Sequence, residues 1–470
     1  MAATPTHPLD PDQPLKNRRL RGVPNAEDPK PGRPHGDDRD PKRGDQVPTY
    51  ETPDTRTEDE KETTRAQVRH VIEALGGPKR VRWYPPRGVK AKDSADFEHI
   101  ARVGYILVRD YDLDRVLRVL PGTEVADSLI DRVTLLRLPP DVSVDAALER
   151  VDTQLGEGIA TPDHVFWVTK SVGSCCPATE PEEPTARVPA PALSKDGGDG
   201  AGVLVNVVDT GWFPDAANHA DTPWLTGVLP GSAADIETID PNNIHPYAGH
   251  GTFIAGLIKC VAPAADVVVD GFLPKGGGVF ESEITVQLYQ ALSRGADIIN
   301  LSAGAYTRNA IPPLGFIAFY ETGLRHYKGT VLVAAAGNDG GRRPFWPAGF
   351  PWSLSVGALT EDGKSRAKFS NFGSWVDVYA VGENLVNAYP SGRFVCQEAP
   401  NTGQERHFDG LAQWSGTSFS APTVAAIIAG RMSQTGESAR AAADALLGIA
   451  AQSTIAGIGA TISPGPQNLT

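Results

Sequence analysis

A doubly wound α/β fold, with a mostly parallel sheet and helices on both faces, is the fold class predicted for the larger part of this sequence. Three observations predict it. Val203-Leu204-Val205-Asn206-Val207-Val208 is an almost unbroken apolar run, the pattern of a strand buried on both faces. Residues 266–269, 297–301 and 330–335 repeat that pattern. Helical stretches such as 283–294 lie between the runs, which is how parallel strands are connected. In such sheets the active groups collect at the C-terminal ends of the strands. The region with this alternation spans residues 201–455, and residues 456–470 read as a tail.

A smaller α+β unit precedes it. Gly104-Tyr105-Ile106-Leu107-Val108 reads as a strand. Residues 113–120 carry apolar side chains at helical spacing and stop at Pro121-Gly122. A weak strand near 123–126 and a strong one over 132–138 follow, then a helix over 142–155 with Ser143 and Asp145 near its start, then a strand over 164–168. The order β-α-β-β-α-β suits a ferredoxin-like domain. With a short helix predicted over 64–75, this domain is bounded at 63–170. Residues 1–62 are rich in Pro, Asp, Arg and Lys, nearly free of aromatics, and read as a disordered tail. Residues 171–200, with five prolines and Asp196-Gly197-Gly198-Asp199-Gly200, read as a linker.

The chain has 470 residues, room for about three domains. Its formal net charge of -13 argues against nucleic acid and anionic membranes as main partners. No apolar run approaches the roughly 20 residues of a membrane span. No apolar signal core follows Met1-Ala2-Ala3-Thr4-Pro5, so a cytoplasmic location is expected of the chain as given, with secretion by another route left open. Four cysteines, Cys175, Cys176, Cys260 and Cys396, are too few for a disulfide scaffold. The adjacent Cys175 and Cys176 read either as a metal or redox pair or as two incidental linker thiols.

The chemistry begins at Gly416-Thr417-Ser418-Phe419-Ser420-Ala421-Pro422. This stretch puts a serine where a loop enters an apolar helix of small residues. A serine hydroxyl becomes a good nucleophile when a base takes its proton and donors hold the oxyanion it creates. A helix start supplies N–H groups at that spot. Asp209 ends the first buried strand and can fix an imidazole tautomer. His250, in Gly249-His250-Gly251-Thr252, has the chemistry of a general base near neutral pH. Asn338, in Ala336-Gly337-Asn338-Asp339-Gly340, offers an amide donor just after a buried strand. Read singly, each is also a common turn or helix-start residue.

Together, Asp-Thr-Gly, Gly-His-Gly-Thr, Ala-Ala-Gly-Asn and Gly-Thr-Ser-x-x-Ala-Pro, in this order, resemble the subtilase (subtilisin-like) serine protease family. The resemblance covers residues 201–455 and implies a subtilisin-like fold and a serine endopeptidase. It implies Ser418 as nucleophile, His250 as general base then acid, Asp209 as orienting acid, and Asn338 with the Ser418 N–H as oxyanion hole. It implies a substrate-pairing segment at Ser302, Ala303 and Gly304, faced by Gly276, Gly277 and Gly278. Ala335, Ala336 and Gly337 would leave the first pocket roomy, Asp339 at its rim would favour a basic residue, and Phe280 would line a more distant apolar pocket. No cofactor is needed for this chemistry, no metal site is expected, and structural calcium is not indicated. The partners implied are a protein or peptide substrate and the chain's own N-terminal domain, which resembles the propeptide that chaperones and blocks such enzymes. Phe419 stands where many members carry Met, and residues 391–409 look inserted, able to cap the cleft or bind a partner. A peptide-binding pseudoprotease is the alternative. The motif order excludes an α/β-hydrolase esterase, and His250 stands where sedolisin-like peptidases use Glu.

Overall fold

The computed structural model describes residues 56–126, 130–168, 180–273 and 277–464. These described residues form one compact unit. It opens with helix α1 (Glu58–Ala74), earlier than the expected 64–75. The cause is a capping box: Thr57 Oγ1 accepts from the Glu60 N–H at 3.2 Å, and the Glu60 carboxylate accepts from the Thr57 N–H. The charged tail therefore does not run to residue 62, because residues 58–62 are the first turn and more of this helix. Then come β1 (Val81–Tyr84), which the sequence analysis missed, β2 (His99–Arg109), α2 (Leu113–Val119), β3 (Glu124–Val125), β4 (Val133–Arg137), α3 (Val144–Leu155) and β5 (Ala160–Val168). Ser143 caps α3 by accepting from the Ala146 N–H at 3.2 Å. The strands are antiparallel in the order β5-β2-β4-β3, with β1 beside β2. Ile106, Val108, Val116, Leu136, Leu148 and Val151 pack between this sheet and its two helices.

The second part contains β6 (Leu204–Asp209), β7 (Leu229–Pro230), α4 (His250–Val261), β8 (Asp266–Gly271), β9 (Gly278–Phe280), α5 (Glu281–Ser293), β10 (Ile298–Leu301), β11 (Ala303–Gly304), α6 (Leu314–Thr322), β12 (Val331–Ala335), β13 (Ser353–Leu359) and β14 (Val378–Val381). It closes with β15 (Leu385–Ala388), β16 (Gly392–Val395), β17 (Glu405–Phe408), β18 (Leu411–Trp414), α7 (Thr417–Thr435) and α8 (Ala439–Ala450). Seven parallel strands run in the order β14-β13-β12-β10-β6-β8-β7. Their apolar runs are continuous because alternate side chains serve two cores. Val205, Val207, Ile298, Val331 and Val333 face α4, α7 and α8, whereas Val208, Ile299, Leu301 and Leu332 face α5 and α6.

Strand β5 joins the two parts. It pairs antiparallel with β9, Phe166 opposite Val279, and with β11, Trp167 opposite Gly304 and Val168 opposite Ala303. Two of its own residues reach α5. Asp163 caps that helix, accepting from the Ser282 N–H at 3.0 Å and the Ser282 hydroxyl at 2.9 Å. His164 Nε2 accepts from the Arg308 N–H at 3.3 Å, so its proton sits on Nδ1, which donates to Glu281 at 2.9 Å.

Residues 180–200 are not a free linker. Glu182 exchanges backbone hydrogen bonds with Gln413, Ala190 pairs with Val386, and the buried Glu180 carboxylate accepts from the Gln397 N–H at 2.6 Å. The apparent insertion at 391–409 is the β16–β17 hairpin. It packs on that segment, on Pro241 and Ile244, and on Thr63 of α1.

Burial lowers the His164 pKa from its ordinary 6.5 to about 3, so the folded chain holds the imidazole neutral. A lowered histidine contributes stability that is present above about pH 6.5 and is lost as pH falls toward 3. Burial raises the Asp163 and Glu281 carboxyls to about 7 and about 8; their contributions run the other way and are lost as pH rises. Comparing wild type with His164→Gln isolates the histidine. The stability gap, read from denaturation curves, should be widest above pH 6.5 and narrow by up to about 1.4 kcal/mol per pH unit below it. A gap that does not change with pH would refute the buried neutral imidazole.

Candidate active site

Asp209 is the last residue of β6 and is buried. Its Oδ1 accepts from its neighbour's amide, Thr210 N–H, at 2.8 Å, and lies 2.7 Å from His250 Nδ1. His250 opens α4, one residue after Gly249, whose φ of 71° lies in the left-handed region. A Cβ on Gly249 would also stand 2.5 Å from Pro390 Cδ, so glycine is required there twice over. The entry to the helix is braced on both sides. The Glu237 carboxylate accepts from the Gly249 N–H at 3.0 Å, and Thr210 Oγ1 from the Gly251 N–H at 3.1 Å. Two rings enclose the imidazole: Trp414 edge-on at 5.4 Å and Phe419 tilted at 5.3 Å between centroids. Phe419 thus packs where the sequence analysis saw only a departure from pattern.

Ser418 is the second residue of α7, so its N–H is one of the helix's first, without an intrahelical acceptor. Its carbonyl accepts from the Ser302 hydroxyl at 2.8 Å, and its own hydroxyl donates to the Ser302 carbonyl at 3.4 Å. Asn338 follows β12 and is buried. Its Oδ1 accepts twice from Thr417, from the N–H at 2.8 Å and the hydroxyl at 2.9 Å. That pair fixes the amide orientation and makes Nδ2 the outward-acting donor. Asp209, His250, Asn338 and Ser418 therefore converge from β6, α4, the end of β12 and α7. The histidine proton on Nδ1 is held by a carboxylate, leaving Nε2 as a proton acceptor.

Ser302 adjoins Ser418 and leads into Ala303 and Gly304 of β11, and Ala335, Ala336 and Gly337 lead from the end of β12 into Asn338. Gly277 and Gly278 lie across β5 from β11, and the Gly277 carbonyl accepts from the Val168 N–H at 2.9 Å. Gly276, Cys175 and Cys176 lie outside the described residues. Phe280 is covered by Val68, Val71, Leu75, Ile100 and Val165 of the N-terminal part. Two of the expected substrate-site features have neighbours that the sequence does not announce. The Phe345 ring stands against Gly304 and Gly337, two of the residues expected to line the substrate site. Asp339 is not an uncommitted rim charge: its carboxylate accepts from the Tyr306 hydroxyl at 2.8 Å, and its pKa is pushed up to about 6 by burial. Among the described residues, no group of three or more His, Cys, Asp or Glu is placed to hold a metal. No described helix is long and apolar enough to cross a membrane. Cys260 and Cys396 are buried free thiols.

The profile of the subtilase family matches residues 200–458, more than half of the chain. The chain belongs to the subtilase family. This subtilase is 30% identical over 255 residues to M-protease of Shouchella clausii (strain KSM-K16), a match covering 52% of the chain and 57% of that relative. It therefore spans just over half the length of that relative. Subtilisin Savinase of Lederbergia lenta is 31% identical over 220 residues, 44% of this chain and 74% of that one. Among solved structures, fervidolysin from Fervidobacterium pennivorans, a keratinolytic enzyme related to subtilisin, matches with a TM-score of 0.52 at 19% identity, over 78% of this chain and 61% of that one. That likeness establishes the fold.

Sequence reasoning missed Thr417, Thr210, Glu237, Trp414 and Phe345. Thr417 was in view within its motif, and its anchoring of Asn338 could have been suspected. Thr210 was likewise in view, within Asp-Thr-Gly; Glu237, Trp414 and Phe345 carry no local signal. Geometry around His250 makes one prediction without reference to turnover. The Nδ1 proton should give a downfield proton resonance protected from exchange in wild type, and Asp209→Ala should abolish it. A resonance unaltered by that substitution would contradict the Asp209–His250 hydrogen bond.

Proposed function

We propose that this subtilase is a serine endopeptidase and that Asp209, His250, Ser418 and Asn338 are its working groups. The observation that carries the reading is the 2.7 Å Asp209–His250 contact beside a serine at a helix start. Ser418 Oγ attacks the scissile carbonyl carbon while His250 Nε2 takes the hydroxyl proton. The new imidazolium keeps its Nδ1 proton directed at Asp209, which balances the charge. Negative charge collects on the former carbonyl oxygen and is met by Asn338 Nδ2 and the Ser418 N–H. His250 then gives its proton to the leaving amine nitrogen as the C–N bond breaks. Water repeats the sequence on the acyl-enzyme, returning the proton to Ser418 and releasing the acid. Substrate backbone would lie as an added strand between β9 and β11.

The N-terminal part reads as an inhibitor in the manner of a propeptide, with a ferredoxin-like fold. Its support is that Val165, Phe166, Trp167 and Val168 of β5 lie between β9 and β11, in the place a substrate strand would take. The chain leaves Val168 at this point, on the wall that leads through Ser302 to Ser418.

A fluorophosphonate probe should label the active form at Ser418 and leave Ser418→Ala unlabelled; labelling of both would assign the nucleophile elsewhere. Asn338→Ala should retain labelling but lose on the order of 100- to 1000-fold in kcat with KM little changed, a magnitude carried over from subtilisin. An unchanged kcat would remove Asn338 from the oxyanion hole.

A further inference from the structure

The slot beside Ser418 has one unexpected occupant. Its walls are the Ser302–Gly304 segment, tied to Ser418 by two hydrogen bonds, and the Ala335–Gly337 segment, which runs into Asn338. Gly304 and Gly337 sit one on each wall. A Cβ on Gly304 would stand 2.2 Å from Phe345 Cε1 and 2.7 Å from its Cδ1. A Cβ on Gly337 would stand 3.0 Å from Phe345 Cγ and 3.1 Å from Cδ1. The same ring therefore meets both walls, and it is 1% exposed.

The ring is held from several sides. Tyr306 packs edge-on against it at 5.2 Å and Trp167 of β5 at 6.4 Å between centroids. Tyr306 is itself fixed by its hydroxyl, which donates to Asp339 and accepts from Asn371 Nδ2 at 3.1 Å. The backbone next to Phe345 is pinned by paired hydrogen bonds between Trp346 and Ala305, each 2.9 Å, and the Phe345 carbonyl accepts from the Gly349 N–H at 2.8 Å. A ring packed this way does not leave its place without breaking neighbouring contacts.

Accepting the endopeptidase reading, we infer that Phe345 closes the pocket for the residue that supplies the scissile carbonyl. This subtilase then selects glycine, alanine or serine there and excludes branched, aromatic and long basic side chains. The Asp339 carboxylate serves in holding Tyr306, so it does not draw a basic residue into the slot. Gly304 makes room for the ring, not for substrate; Gly337 answers to its φ of 93° and to Asn371 Nδ2, 2.5 Å from where a Cβ would stand, as well as to the ring.

The test uses peptides that differ only at that residue, assayed with the form of the full-length product that accepts the fluorophosphonate probe. Wild type should cleave after alanine at least ~100-fold more efficiently, in kcat/KM, than after leucine, phenylalanine or lysine. Phe345→Ala should raise cleavage after phenylalanine by ~100-fold while cleavage after alanine changes little. Phe345→Leu keeps the space partly filled, guards against a variant that fails to fold, and should admit leucine but not phenylalanine. Equal cleavage after alanine and phenylalanine by wild type, or an unaltered preference in the variants, would overturn the inference. If wild type and variants all label yet keep one preference, only the role of Phe345 falls. If none labels, the endopeptidase reading falls with it.

Discussion

Two short strands, β9 and β11, present backbone N–H and C=O groups to the same extended chain, and β5 lies between them. Much of the molecule follows from that constraint. Edge strands with unmet backbone groups are costly when buried and hazardous when exposed, so something must pair with them. In the full chain the partner is Val165 to Val168, and the sheet of the N-terminal part is thereby continuous with the cleft. Asp163, capping α5, and His164, bonded to Glu281, fasten the same strand just ahead of Val165. Phe280 is covered in the same union. The two short strands thus have their backbone groups met only with a strand between them.

The reactive groups depend on a second constraint, the close approach of α7 to the sheet. Ala425, Ala426, Ala429 and Gly430 are small, and α7 lies buried against β10, β12, β13 and β14. That approach brings the helix start to the end of β12, where Thr417 grips Asn338, and to Ser302, which grips Ser418. Phe419, next along the helix, reaches the His250 ring. Packing energy spread along a long helix therefore fixes positions at its first turn.

How much of this was legible in the sequence varies with the kind of constraint. Strands that feed two cores announce themselves as unbroken apolar runs, and Val203 to Val208 did so. Groups such as Asp209, His250 and Ser418 stand beside residues that the backbone itself requires, Gly249 with its positive φ among them, so motif and geometry coincide. Long-range partners were invisible. Proline-rich residues 171–200 read as a linker because composition reports local stiffness, not the pairing of Ala190 with Val386. The segment 391–409 looked inserted, able to cap the cleft or bind a partner, but its apolar residues Phe394 and Phe408 belong to the core beside α4. Phe345 lies seven residues past Asn338, in a stretch with no periodic pattern, and only the folded chain puts its ring between Gly304 and Gly337. Even α1 began early, because one threonine and one glutamate made a capping box inside a segment whose charge suggested disorder.

The central claim is that β5 lies in the cleft as a substrate would and leads the chain toward an active Ser418. Intact-mass measurement of the purified wild type and Ser418→Ala, expressed side by side, tests it most directly. The account predicts that Ser418→Ala stays at its full mass near 49.9 kDa, while wild type separates within residues 169–199 into an N-terminal and a catalytic piece. Cleavage at the same place in both proteins, or in neither, would contradict it.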